Sequence, residues 1–160
     1  MIYKDDNPSA MCRLILTPGR AENLKLQQLF KAYQLFFEWL DQEVPPNHSN
    51  DLVALHRNFY DAARARSGLP AQIVTLGFRD WALRRRGSIV SGIPLDPRLY
   101  SVKTVSTLSV SGLNGRILVS FVVGGYDVVL PPNSPARLMQ VDNHFEIWAE
   151  TALPGEQSLP

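Results

Sequence analysis

The stretch Met11-Cys-Arg-Leu-Ile-Leu-Thr17 alternates Met11, Arg13 and Ile15 with Cys12, Leu14 and Leu16, between Pro8 and Pro18. That two-residue period reads as one β-strand with two unlike faces. It stands alone, because the next seventy or so residues carry helical spacing and strand-like sequence resumes only near residue 100. A lone strand leaves its backbone donors and acceptors unmatched, so it has to pair with strands from the far end of the chain. The helices then become an excursion from a sheet. The order implies an α+β fold: a small antiparallel β-barrel or bent sheet with a three-helix lobe inserted after the first strand. We place a flexible leader at 1–10, one domain at 11–153 with its helical insertion at 18–87, and a flexible tail at 154–160.

Within the insertion, Thr17-Pro18 is a helix-start signal. Leu26, Leu29, Phe30, Tyr33, Phe36, Phe37 and Leu40 recur at three- and four-residue steps and make one broad apolar face. Val44-Pro-Pro-Asn-His-Ser-Asn50 breaks that helix. Asn50 or Asp51 caps a second, with Leu52, Leu55, Phe59 and Ala62 or Ala63 inward, and Gly68 is placed to end it. A third runs from about Pro70 to Arg86 with Val74, Phe78, Trp81 and Ala82 on its buried face, and Gly87 stops it. Beyond it we expect strands over Tyr100–Leu108, Ser109–Ser111 and Arg116–Val123. A tight turn at Asn114-Gly115 supplies positive φ, and a further turn follows at Gly124-Gly125. A return over Tyr126–Leu130, a loop at 131–135 and a last hairpin, Ala136–Val141 with His144–Ala149, complete the expected strands.

The chain has 160 residues, 45% of them hydrophobic, which is enough for one domain with a core of its own. A single cysteine excludes an intramolecular disulfide framework and a cysteine-rich zinc site, and fits a cytoplasmic setting. No apolar run reaches the length of a membrane helix, so we expect no membrane partner. Enzyme constellations do not assemble. His48, His56 and His144 stand in separate elements without ligand spacing, and read as ordinary histidines. Cys12, in mid-strand, reads as a buried inert thiol. Gly124-Gly125 precedes no helix and no lysine, as a phosphate loop would require. Glu38, Asp41, Glu43 and Asp51 read as a solvated acidic face. We therefore expect no catalysis, no metal and no cofactor.

Charge is distributed unevenly. Seven arginines, Arg57, Arg64, Arg66, Arg79, Arg84, Arg85 and Arg86, fall between His56 and Arg86 with no lysine, opposed only by Asp61 and Asp80. The whole chain carries a formal +1, so the remainder is net acidic. Arg57 and Arg64 are two helical turns apart with Tyr60 between them, and Arg79 and Arg86 repeat the interval. Guanidinium groups fork to phosphate oxygens and stack on bases, which suits an RNA or DNA backbone. The competing reading is a solubilising face that forms salt bridges to the acidic loop.

Several short motifs, taken in order, resemble the N-terminal region of TnpB (OrfB-type) proteins. These are transposon-encoded RNA-guided DNA nucleases related to type V CRISPR effectors. The carriers are Arg13-Leu-Ile-Leu-Thr-Pro18 with Leu24 and Leu29-Phe30; His56-Arg-Asn-Phe-Tyr60 with Arg64 and Ser67-Gly-Leu-Pro-Ala-Gln72; and Tyr100–Leu108 with the Gly-Leu-Asn-Gly turn, leading to Phe145–Ala149. The resemblance implies a wedge β-barrel interrupted by a helical recognition lobe, together gripping guide RNA and the guide–target heteroduplex. The acidic triad and four-cysteine zinc site of the family's nuclease domain have no counterpart here. The chain thus reads as a fragment or as a relative that kept the recognition part.

The expectation is a non-catalytic nucleic-acid-binding domain. Its partner would be structured RNA or an RNA–DNA duplex, with a separate nuclease or other protein subunit as a further partner. Arg57, Arg64, Arg66, Arg79, Arg84, Arg85 and Arg86 would contact phosphates, with Tyr60 and Gln72 as neighbouring stacking or polar groups. The alternatives are a protein-interaction module using the same arginine face and a small-molecule carrier using the barrel interior.

Overall fold

The structure is a computed structural model that describes residues 9–48, 51–124 and 134–152. The first strand, β1 (Ser9–Leu16), leads into α1 (Arg20–Glu43), α2 (Leu52–Ser67) and α3 (Ala71–Arg85). Six strands follow: β2 (Ile93–Leu95), β3 (Tyr100–Val102), β4 (Thr107–Gly112), β5 (Gly115–Gly124), β6 (Ala136–Val141) and β7 (His144–Ala152). Among the described residues the strands form one antiparallel sheet in the order β2-β6-β7-β1-β5-β4-β3. As the lone-strand argument requires, β1 lies between two late strands. Arg13 is opposite Trp148 of β7 on one side and Gly124 of β5 on the other.

The outermost strands of that order, β2 and β3, are joined by only four residues, 96–99. The sheet must therefore curl until its ends meet, giving a nearly closed barrel. Tyr100 Oη at the β3 end donates to the Ser134 carbonyl just before β6, at 2.6 Å, and ties the seam. Inward and outward residues alternate as the pleat demands. Cys12, Leu14 and Leu16 of β1, Ile117, Val119 and Phe121 of β5, and Phe145, Ile147 and Ala149 of β7 are buried. These side chains fill the interior together with α1, whose Phe30 ring lies 5.4 Å from that of Phe145.

The lobe packs on the same core. Leu26, Leu29, Tyr33, Phe36, Phe37 and Leu40 of α1 are buried along the face the spacing predicts. Ile73, Val74, Phe78 and Trp81 of α3 meet them, and each fully buried side chain of this size stabilises by about 1.5–3 kcal/mol. The helices come close at Gly77, where an added Cβ would stand 2.6 Å from Phe36 Cε2. Asp51 caps α2 by accepting from the Ala54 amide at 3.1 Å, and Gly68 closes it at φ 70°.

Several boundaries differ from expectation. β1 starts at Ser9, two residues early, because 9 and 10 pair with 152 and 151. Thr17 does not cap α1; its amide continues the sheet to the Ser120 carbonyl at 2.8 Å, and Gly19 takes the cap position without a side-chain bond. Leu52 and Ala62 are exposed, leaving Leu55 and Ala63 as the buried residues of α2. The expected strand over Tyr100–Leu108 is split by a turn at 103–106, and β2 was not expected at all. The first hairpin turns at Leu113-Asn114, with Gly115 alone at positive φ, 110°. The expected return over Tyr126–Leu130, the second residue of the Gly124-Gly125 turn, most of the 131–135 loop, residues 1–8 of the leader and the tail lie outside the described residues. No helix among the described residues is long and apolar enough to cross a membrane.

Candidate nucleic-acid interface

The arginines of the lobe divide into two populations. At the C-terminal end of α3, Arg84 Nη2 contacts both Asp41 carboxylate oxygens, at 3.0 and 2.8 Å, and its guanidinium sits 4.9 Å from the Phe37 ring centre. Trp81 Nε1 donates to the same Asp41 at 2.8 Å. Arg85 Nη1 donates to the carbonyls of Val44 and Pro45, at 3.0 and 3.3 Å. Those carbonyls lie just past the end of α1, whose last turn has no basic residue of its own, so Arg85 sits at the negative end of that helix. Arg84 and Arg85 are therefore engaged in joining α3 to α1. Asp41, read as part of a solvated acidic face, is one of their anchors.

Gln72 is engaged as well. Its Nε2 donates to Asp96 Oδ2 at 2.7 Å and pins the start of α3 to the four-residue link between β2 and β3. Arg66 hangs over the Trp39 ring at 6.0 Å, and Trp39 itself is half-buried against Phe59. Arg86 is exposed at the end of α3.

The second population lies along the middle of α2 and α3. Arg57 and Arg79 are exposed and, among the described residues, have no ion-pair or side-chain hydrogen-bond partner. They line one groove between the helices, whose walls are Leu52, Val53, Leu76 and Phe78 and which has no carboxylate in its lining. Beside it, Tyr60 stacks on His56 with ring centres 4.4 Å apart and planes at 18°. Arg64 Nη1 donates to Tyr60 Oη at 3.2 Å, so these two of the expected Arg57–Tyr60–Arg64 group touch. His56, read as an isolated histidine, joins this face. Its four-residue interval from Tyr60 was the available signal.

The barrel wall treats charge differently. Glu146 is fully buried and accepts from Arg13 Nε and Nη2, both at 2.9 Å, and from Trp148 Nε1 at 2.7 Å. His144 Nε2 is 2.6 Å from its Oε2. Chiefly through the Arg13 hydrogen bonds, and against the cost of burial, its carboxyl is held down to about 2. Asp80 of α3, buried, pairs with Arg137 of β6, whose Nε also donates to the Ser91 carbonyl at 2.6 Å. Tyr33 Oη is buried with no hydrogen-bond partner among the described residues, and burial, then the Asp80 charge, pushes its hydroxyl pKa up. Burial likewise raises the Cys12 thiol, which is fully enclosed. No group of three or more potential metal ligands occurs among the described residues.

No known family model matches the chain, and no curated protein matches it significantly.

Proposed function

We propose that this protein is a non-catalytic nucleic-acid-binding domain whose lobe holds structured RNA or an RNA–DNA duplex by its phosphates. The carrying observation is the couple Arg57 and Arg79, without an ion-pair partner among the described residues, on a groove without carboxylates in its lining, with Tyr60 and Arg64 on the same helix as Arg57. Charged groups without a partner among the described residues are available to neutralise an external polyanion. The TnpB resemblance, carried in part by the Gly-Leu-Pro-Ala-Gln72 segment, supplies the expectation of a wedge domain that grips RNA or a heteroduplex by shape, and the strand–lobe–barrel order is compatible with it. Cleavage is no part of the reading; a separate nuclease or other protein subunit is the further partner that it proposes.

Fluorescence anisotropy with a labelled RNA hairpin tests this. With four or five phosphates engaged, affinity falls about 150- to 500-fold between about 50 and about 200 mM salt. Arg57→Gln with Arg79→Gln lowers both the affinity and the salt slope, whereas Arg84→Gln leaves the slope unchanged. Salt-independent binding, or none, overturns the proposal.

A second reading draws on the exposed apolar side chains of Leu52 and Val53, 41% and 71% accessible, which phosphates alone would leave uncovered. An acidic protein partner on the same face would cover them. Purification separates the two: RNA co-eluting with the protein supports the first.

A further inference from the structure

Resting on the RNA-binding reading, we infer that the α2–α3 groove holds one unpaired base of the bound RNA, stacked beside His56, with the flanking phosphates on Arg57 and Arg79. The groove has a volume of about 540 Å³, within the range of small-ligand sites. Its walls are apolar and its two charges are both positive, matching a base with phosphates on either side. Val53 and Leu52 provide exposed apolar surface that a base face covers.

The length of the groove selects a base over a protein helix. Its lining runs from Leu52 to Arg57 on α2 and from Thr75 to Arg79 on α3. At 1.5 Å per residue these spans are about 7.5 Å and about 6 Å. A helix docked in a groove presents anchors over seven residues, about 10.5 Å, and would overrun both ends. One base fits the shorter span.

The aromatic ladder points the same way. Arg64, Tyr60 and His56 stand at four-residue intervals on α2, with Arg64 bonded to Tyr60 and Tyr60 stacked on His56. His56 is fixed further by Thr75 Oγ1, 3.4 Å from its Nε2, and by an edge contact with Phe78 at 6.0 Å. The ring is thereby oriented by both helices at the groove. A planar base extends such a stack whatever its identity, because every base offers a π-face.

The test compares three labelled RNA hairpins: fully paired, with one unpaired adenosine, and with an abasic site in place of that adenosine. The expected result is about tenfold tighter binding of the unpaired adenosine over the other two. His56→Ala removes the preference and His56→Phe, which keeps a stacking face, retains it. The abasic comparison uses the parent protein and so does not depend on any variant folding. Equal affinity for all three RNAs, still falling with salt and with Arg57→Gln, overturns the base pocket and leaves the phosphate grip standing. A preference that survives His56→Ala also overturns the pocket, as does an acidic amphipathic peptide that binds the groove in place of the adenosine. No binding of any hairpin overturns both readings.

Discussion

Arginine does different work in the barrel wall and on the lobe. In the wall, Arg13 and Arg137 face carboxylates that the fold itself buries, Glu146 and Asp80. On the lobe, Arg57 and Arg79 face a groove with no acid in its lining. Arg84 and Arg85 stand between these cases: they lie on the lobe but bond to α1. A cluster of like charges in a sequence therefore mixes residues that hold the molecule together with residues that it leaves unmatched. What separates them is the partner, and partners come from distant positions.

The wall gives the largest expected effect. Glu146→Gln leaves the Arg13 fork without its carboxylate and costs about 3 kcal/mol in urea unfolding at neutral pH, since Arg13, half exposed, rehydrates in part. The contribution also carries a pH signature. The carboxyl ionises below its ordinary 4.5 in the folded protein, so its stabilisation is present above about 4.5 and is lost as pH falls toward about 2. The gap between parent and Glu146→Gln should narrow over that window. A constant gap would show that the four-way contact acts by packing and not by charge.

Gly77→Ala comes next, at about 2 kcal/mol, because a methyl group there must displace the Phe36 ring at the α1–α3 crossing. Differential scanning calorimetry reads it as a lowered Tm. The α3 terminus follows: Arg85→Ala and Arg84→Ala each cost about 1 kcal/mol, the net worth of solvent-accessible hydrogen bonds to a helix end and to Asp41. The double change Arg57→Gln and Arg79→Gln is the smallest, within about 0.5 kcal/mol of parent stability, while its salt slope for RNA drops by about 2. Should that pair destabilise as much as Arg85→Ala, the contrast between engaged and open arginines would fail.

Much of this was legible where the signal is local. The two-residue period at 11–17 and the apolar spacing of α1 predict β1 and the buried face of the lobe, and Gly68 marks its turn. β2 was missed because Gly92-Ile-Pro-Leu-Asp-Pro97 carries two prolines in six residues and reads as connection. A proline is tolerated in a strand at the end of the sheet order, where ladder bonds are needed on one side only. The break at 103–106 was hidden because Val105 continues the apolar pattern while being 85% exposed at the turn. On the lobe, the Tyr60–Arg64 contact followed from helical intervals. The engagement of Arg84, Arg85 and Gln72 did not, because their partners Asp41, Val44 and Asp96 lie 24 to 43 residues away and no spacing rule reaches that far.

The short link between Asp96 and Leu99 has a consequence for how these molecules behave in a crowd. A sheet with free margins invites strands from neighbouring chains to add on, the first step toward fibrils. Here the two marginal strands are three residues each and are tethered to one another. Little unpaired margin remains as a template, so concentrated solutions should stay free of cross-β growth, and cutting the chain within that tether is the way to release it.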